Sequence, residues 1–437
     1  MATIKELGRF VTPADVVNKM LSLIDFNLIP DKASVLEPAC YDAPFLSGLQ
    51  KYFPDAWQRF ETIHALDIDP NVKLPYYLNK AKLIHEDFLL WNPINRYDLI
   101  LGNPPYGIPG DATHYPIPVS IDRKKQWKKT ISTWQGKYNL YAAFIEKAIR
   151  LLKPDGQLTF VVPGTFMFLD EFQLLRRFIA HSGTTNIYYV GKNVFKGQAS
   201  VSVVFLHFIK STPNQLTLYD WQDADGQPRI MQRVNDWNGS EITFSSEFTR
   251  EIENNSIVRI HDLFAVHISP RTPEIKRALA EKWIFTDPCD NSVPILTSKH
   301  LKHGRVAYEI SSKYFINIRD KTKLRKFFDF PRLVVSLGFH DGRLAAAYDH
   351  KAYPWMGDVY HLIPKNVSKR NLFSNNGNHI ENLNFEYLSI YLSSYLIGRY
   401  IKEKYRDFIY HINKQQLMQL PVLSEADFNK LSDKHEA

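Results

Sequence analysis

Short apolar runs alternate with helical periodicity along the first half of the chain. Ser34 to Glu37 is a β-rich run, followed by a turn and a helical pattern from about Phe45 to Tyr52. Further β-rich runs follow at Thr62 to Leu66, Lys82 to Ile84 and Tyr97 to Leu101, each ending in an acidic or turn-forming sequence. The spacing predicts a helix over Asn139 to Leu152, stopped by Lys153-Pro154-Asp155-Gly156, then a strand over Gln157 to Val162 and a helix from about Glu171 to Ala180. Strand and helix in alternation imply a parallel sheet covered on both faces. Two more β-rich runs, Asn186 to Val190 and Ser200 to Phe208, are joined by Lys192 to Gln198 and are expected to form an antiparallel pair closing the edge of the sheet. Beyond about residue 243 the alternation fades, and the polar stretch Gly239 to Asn255 marks the expected boundary. The expected domains are residues 1–243 and 244–437.

A chain of 437 residues exceeds one ordinary domain of about 100–200 residues, which agrees with that division. Its 44% hydrophobic and 14% aromatic residues are ample for packed cores, and 23% charged residues argue against disorder. The net charge of +8 favours a polyanionic partner. Arg123, Lys124, Lys125, Lys128 and Lys129 crowd around Trp127, with Lys137 close behind. From Lys299 to Arg332 many basic residues are opposed only by Glu309, Asp320 and Asp329. Cys40 and Cys289 alone can build neither a disulfide framework nor a cysteine-rich zinc site. Met1 to Phe10 has no basic segment leading into an apolar core, and no later stretch approaches the ~20 apolar residues of a membrane span. A cytoplasmic protein without a membrane partner is expected.

In open α/β sheets, ligands bind beyond the carboxyl ends of the strands. Glu37, Asp67 and Asp87 stand at the ends of the first three predicted strands, and Asn103 at the end of the fourth. Any one such acid is commonly a turn or cap residue, but the ordered set describes a ligand crevice. Asp67 stands where a doubly wound unit places a carboxylate for ribose hydroxyls. The turn from Glu37 to Phe45 lacks the glycines of a dinucleotide fingerprint, so a pyrophosphate cradle is not expected. S-adenosylmethionine has a ribose, an adenine and an amino-acid tail but no phosphate, and fits better. Thr12-Pro13 precedes a helical pattern starting near Ala14. The Thr12 hydroxyl either caps that helix or, with nearby N–H groups, holds the methionine carboxylate.

Asn103-Pro104-Pro105-Tyr106 follows directly on the run Tyr97 to Leu101. Asn103 offers an amide oxygen as acceptor, the prolines fix φ and remove donors so that carbonyls point outward, and Tyr106 supplies a flat stacking face. Such a loop suits a planar NH2 group. Adenine N6, cytosine N4, glutamine amides and adenines in structured RNA all carry one.

The residues resemble the amino-methyltransferases, and more closely the TaqI-like adenine-N6 DNA methyltransferases of the γ arrangement from type II restriction-modification systems. In these the cofactor motif precedes the catalytic motif and the recognition domain comes last. The matching stretches are GRFVTP, VLEPAC, DFLLW, DLILGNPPYG, STWQGKYNLYAAFIEKAIRLLKPDG, YPW, HLIPK and YRDF, running from Gly8 to Phe408. The resemblance implies an α/β, Rossmann-like S-adenosylmethionine-dependent catalytic domain with a mixed, mostly parallel sheet, and a C-terminal α+β target-recognition domain. It puts Thr12, Glu37 and Ala39 near the methionine part of the cofactor, Asp67 on the ribose, Asp87 on the adenine amino group, and Phe88 and Phe144 on the faces of the adenine ring. Asn103, Pro104 and Tyr106 would hold the target base, with Phe195 approaching from the hairpin loop. Family members often have glycine where this chain has Tyr41, Asp42 and Ala43. The implied substrate is double-stranded DNA, with an adenine flipped out of a short palindrome, TCGA being the candidate. The implied partner is a cognate restriction endonuclease carried by a separate protein, and the enzyme is expected to be a monomer. RNA adenine-N6 methylation and a DNA-binding module without catalysis are the competing readings. The second would be signalled by damage to Asn103, Tyr106 or the strand-end acids, all of which are intact.

Overall fold

The run Ala33–Pro38 is buried along its whole length and becomes β1, the strand around which the first half of the chain is organised. The computed structural model describes residues 11–110, 116–192, 194–195, 201–222, 226–324, 328, 330–365 and 384–436. The chain divides into two units, one ending at Phe244 and one beginning at Ser245. In the first, β1 is joined by β2 (Phe60–Asp67), β3 (Lys82–His85) and β4 (Tyr97–Gly102). β5 (Ile108–Pro109) and β6 (Pro116–Ile117) pair only with each other, and β7 (Leu152–Pro163), β8 (Thr184–Gly191), β9 (Val203–Ile209), β10 (Gln215–Asp220) and β11 (Arg229–Val234) complete the set. The main sheet has nine strands in the order β11-β10-β8-β9-β7-β4-β1-β2-β3. β1 runs parallel to β2 on one side and to β4 on the other. The chain therefore winds outward to β3 and restarts across β1 at β4, which opens a crevice at the carboxyl ends of these two strands.

Two features of the far side differ from the sequence expectation. β8 and β9 do pair antiparallel, but they do not close the sheet. β10 lies parallel to β8 and β11 antiparallel to β10, so the edge is two strands further out. Both added strands are largely half-buried or exposed and carry no apolar run that would announce them. Lys153 to Gly156 also lies within β7 instead of ahead of it. Leu152 pairs with Tyr97 and Gln157 with Leu99, so the intervening residues form a bulge, with Asp155 at φ 60°. Gly8 to Phe10 of the first motif, Ser200, and Asn193 and Lys196 to Gln198 of the hairpin connection lie outside the described residues.

The helices are α1 (Ala14–Leu21), α2 (Pro44–Tyr52), the short α3 (Pro54–Gln58), α4 (Ile121–Thr130), α5 (Leu140–Leu151) and α6 (Gln173–Ala180). α1 lies close against α2 at Gly48, where a Cβ would stand 2.6 Å from Val17 Cγ1 and 3.0 Å from Leu21 Cδ1. This approach carries Thr12, just ahead of α1, to the strand ends. Pro13 is the N-cap of α1 and no side chain caps it, so Thr12 is not a helix cap.

The turn from β1 to α2 is held in an unfavourable conformation. Ala39, Tyr41 and Ala43 have φ of 53°, 51° and 52°, the left-handed region that costs a residue with a Cβ roughly 1–2 kcal/mol. The chain thus adopts, without glycine, the backbone that glycine would supply. Acceptors at the end of β2 hold it there: Cys40 N–H donates to Leu66 O at 2.9 Å, and Tyr41 N–H to Asp67 Oδ2 at 3.0 Å.

The second unit has a four-stranded antiparallel sheet in the order Phe264–Ile268, Val359–Pro364, Arg332–His340, Arg343–Asp349, with a smaller three-stranded sheet and the helices Phe385–Leu392 and Tyr395–Tyr405. A polar network crosses its core. Arg332 donates to His361 Nδ1 at 2.9 Å and to the Phe330 and Tyr353 carbonyls at 3.0 and 2.9 Å, and its guanidinium lies 3.6 Å from Asp349 Oδ2. Asp349 also accepts from Trp355 Nε1 at 2.8 Å and from the Tyr308 hydroxyl at 2.6 Å. Arg332, read in sequence as the end of a basic surface, is therefore fully buried. Trp355 and His361, from YPW and HLIPK, are buried with it and build the scaffold.

Two measurements test these constraints. Tyr41 is 42% exposed, so replacing it compares backbone preferences with little packing change. Tyr41→Val should be less stable than Tyr41→Asn by about 1–2 kcal/mol in urea denaturation, because a β-branched residue tolerates the left-handed region worst and asparagine best. Equal stabilities would mean that the turn relaxes. His207 is buried, and burial pushes its pKa down from 6.5 to about 4. Burial and the Arg332 charge also hold His361 well below the usual range. The folded state keeps these rings neutral while the unfolded chain protonates them. Stability should thus fall as pH drops below about 6.5, by up to about 1.4 kcal/mol per pH unit for each ring, until the folded pKa is reached. His207→Gln should flatten that slope; an unchanged slope would remove His207 from the account.

Candidate active site

The carboxyl ends of β1, β2, β3 and β4 surround a cavity of about 550 Å³, within the ~300–1,000 Å³ common for small-molecule sites. Thr12, Glu37, Ala39, Asp67, Asp87, Phe88, Asn103 and Phe144 all line it. Pro104, Tyr106 and Phe195 do not, and Pro105 contributes in their stead.

Each carboxylate has a definite attachment. Glu37 is 2% exposed, and its oxygens accept from the Phe45 and Leu46 N–H groups at 3.3 and 2.9 Å, capping the first turn of α2. Burial raises its pKa well above the usual carboxylate range, opposed by those two N–H donors. Asp67 accepts from Tyr41 N–H on one oxygen and from Asp69 N–H at 2.9 Å on the other. Asp87 accepts from Leu89 N–H at 3.1 Å through Oδ1, and from Trp127 Nε1 at 2.9 Å through Oδ2. Arg123 Nε stands 3.6 Å from the same Oδ2.

Phe88 and Phe144 do not form two opposed faces. Their ring centroids are 4.8 Å apart at 37°, whereas an aromatic ring sandwiched between them would need roughly 7 Å, two contact distances. They make one continuous apolar wall.

The Asn103 loop is pinned from three directions. Asn103 Nδ2 donates to Thr12 Oγ1 at 3.1 Å, which fixes the end of the amide that faces α1. Gly107, at φ 142° where a side chain is disfavoured, donates to Asn139 Oδ1 at 2.9 Å and accepts from Leu140 N–H at 2.9 Å, so the loop is clamped on the start of α5. The Tyr106 hydroxyl donates to Val161 O on β7 at 2.9 Å. Glu146, buried within α5, accepts from the N–H groups of Ser132 and Thr133 and from Arg150 Nε, tying the preceding strap to the same helix. The motif around STWQGKYNLY thus acts as the mount of the Asn103 loop.

Two sequence expectations are corrected here. Tyr106 is 2% exposed and meets Tyr141 and Phe195 edge-on at 6.2 and 6.0 Å, so its face is not open. Phe195, expected on an exposed loop, is fully buried. The packing of aromatic rings against one another outweighs the exposure that a polar loop sequence suggests. Sequence reasoning also missed Trp127 and Arg123 as cavity residues. The basic run hid them; Ser120, whose side chain caps α4 by accepting from Arg123 N–H, was the available signal for the helix.

The donor set fits S-adenosylmethionine. Carboxylates at the strand ends suit hydroxyl and amine hydrogens, the phenylalanine wall suits a purine, and the glycine-free turn suits a ligand without phosphate. Comparison with known proteins agrees. Residues 50–195 match the Eco57I restriction-modification methylase family, and residues 293–422 the TaqI-like C-terminal specificity domain. The Type II methyltransferase M.TthHB8I of Thermus thermophilus is 39% identical over 439 residues, covering 99% of this chain and 94% of its own. The Type II methyltransferase M.HincII of Haemophilus influenzae is 29% identical over 210 residues, covering 47% of this chain and 37% of its own. Among solved structures, a nuclease-deletion mutant of the Type ISP restriction-modification enzyme LlaGI in complex with a DNA substrate mimic shares the fold, with a TM-score of 0.53 at 12% identity over 81% of this chain and 48% of that one. The chain belongs to the type II DNA methyltransferases with a TaqI-like carboxyl-terminal domain, enzymes that use S-adenosylmethionine to methylate adenine N6 at specific sites in DNA.

Proposed function

We propose that the first unit binds the cofactor and transfers the methyl group, that the second reads the DNA site, and that transfer takes place on an adenine turned out of the duplex. The observation that carries this reading is the convergence of Thr12, the strand-end acids and Asn103 on one cavity. Thr12, Glu37 and Ala39 hold the methionine part of the cofactor, Asp67 the ribose, Asp87 the adenine amino group, and the Phe88–Phe144 wall the purine ring. When bound, the cofactor supplies a sulfonium-activated methyl group.

The N6 amine is a poor nucleophile because its lone pair is delocalised into the ring. Asn103 Oδ1 and the Pro104 carbonyl each accept one N6–H, draw the nitrogen toward sp3 geometry and aim the lone pair at the methyl. The hydrogen bond from Asn103 Nδ2 to Thr12 supports this role by fixing the amide. Turning the base out costs a few kcal/mol, offset by stacking worth about 1–3 kcal/mol. On this reading the buried Tyr106–Phe195 pair opens to receive the base.

The enzyme acts as a cytoplasmic monomer, and its methyl groups protect DNA against a cognate restriction endonuclease carried by a separate protein. Among the described residues no helix is long and apolar enough to cross a membrane.

Asn103→Ala should leave the affinities for S-adenosylmethionine and for DNA nearly unchanged while single-turnover transfer falls by about 10²–10³-fold, the scale of losing one transition-state hydrogen bond. Full turnover would refute the role of Asn103. The candidate site is TCGA; mapping of methylated adenines on a DNA of known sequence should place them there, and a different protected sequence would reject it.

A further inference from the structure

Helix α4 carries five lysine and arginine side chains and, among its buried residues, a single one, Trp127. That indole turns inward to the cofactor cavity, which Ile117, Pro118, Val119 and Arg123 from the same segment also line. Its Nε1 donates to Asp87 Oδ2 at 2.9 Å, and the Arg123 charge stands 3.6 Å from the same oxygen. The indole is itself held: it stacks on Trp134 with centroids 6.5 Å apart at 29°, and Trp134 lies 5.3 Å from the Tyr138 ring. The Tyr138 hydroxyl is bonded to Thr133 Oγ1 at 2.5 Å.

A carboxylate offers on the order of four acceptor positions. At Asp87 the Leu89 N–H takes up one of these on Oδ1 and the Trp127 N–H one on Oδ2, where the Arg123 charge stands beside it. What is left accommodates a single N–H of an exocyclic amine. With both oxygens already engaged, the carboxylate cannot rotate to suit another ligand. The large ring beside it displaces water and strengthens the remaining bond.

We infer that Trp127 and Arg123 are positioning residues that orient Asp87 for the 6-amino group of the cofactor's adenine, so that α4 is part of the cofactor site as well as a basic surface. The inference rests on the assignment of Asp87 proposed above. A purely structural Trp127 would instead pin α4 to the body without regard to what the ligand carries at position 6.

Calorimetric binding of S-adenosylhomocysteine and of its analogue with hydrogen in place of the 6-amino group separates the two. Trp127→Phe keeps an aromatic ring and removes the N–H. It should weaken S-adenosylhomocysteine about tenfold, the loss of one hydrogen bond to a charged group, and leave the analogue unchanged. Equal losses for both ligands, or no loss, would overturn the inference. Arg123→Gln, at a side chain 49% exposed, gives a second reading if the first variant fails to fold. It should weaken S-adenosylhomocysteine two- to threefold at low salt, and the analogue not at all; the same loss for both would again overturn it. Asp87→Asn keeps the two questions apart. If it fails to distinguish the ligands, the Asp87 assignment itself falls; if it distinguishes them while Trp127→Phe and Arg123→Gln do not, the inference about α4 falls alone.

Discussion

A turn without glycine has to be held in place by something other than its own conformational preference, and in this chain two buried carboxylates hold the turn after β1. Glu37 caps the helix that follows it, and Asp67 receives the N–H of Tyr41 at its centre. The rest of the site depends on these bonds. They fix the floor of the cavity and hold both acids in its lining while each also accepts backbone hydrogen bonds. Preorganisation follows from necessity: carboxylates already occupied by backbone donors have little freedom to reorient when a ligand arrives.

The same logic governs the Asn103 loop. Asn103 stands on the end of a fully buried strand, and its surroundings reach it from α1, from β7 and from the start of α5. Elements far apart in sequence are thereby locked around the segment from Asn103 to Gly107. In the second unit, the buried Arg332–Asp349 pair with its tyrosine, tryptophan and histidine partners fixes the core of the main sheet. Removing one partner from such a pair leaves an uncompensated buried charge, a loss of about 3–5 kcal/mol. The buried Trp355 and His361 of the YPW and HLIPK stretches are therefore conformational supports.

Much of this was legible in the sequence where one physical cause dominates. β1 and β4 announce themselves because a strand buried on both faces carries a compact apolar run, Val35-Leu36 and Leu99-Ile100-Leu101, and α5 because its apolar residues recur at helical spacing. The strand-end acids were visible because the chain has to turn there. β10 and β11 were not, since only Leu216 and Leu218 of β10, and no residue of β11, are buried. The inward turn of Trp127 was hidden by its basic neighbours, and the burial of Tyr106 and Phe195 by packing between rings distant in sequence. Long-range contact, as opposed to local periodicity, separates what could be read from what could not.

Gly48 shows how far such contact extends. It touches neither cavity nor loop, yet the absence of a side chain there lets α1 lie close enough for Thr12 to meet Asn103. Val17, opposite it, is β-branched and has one strongly favoured rotamer in a helix, so it cannot easily turn aside. In a survey of natural variants, Gly48 would thus rank with the chemical residues in intolerance to change, and a substitution there would be misread as a defect in the chemistry when the fault lies in the spacing of two helices.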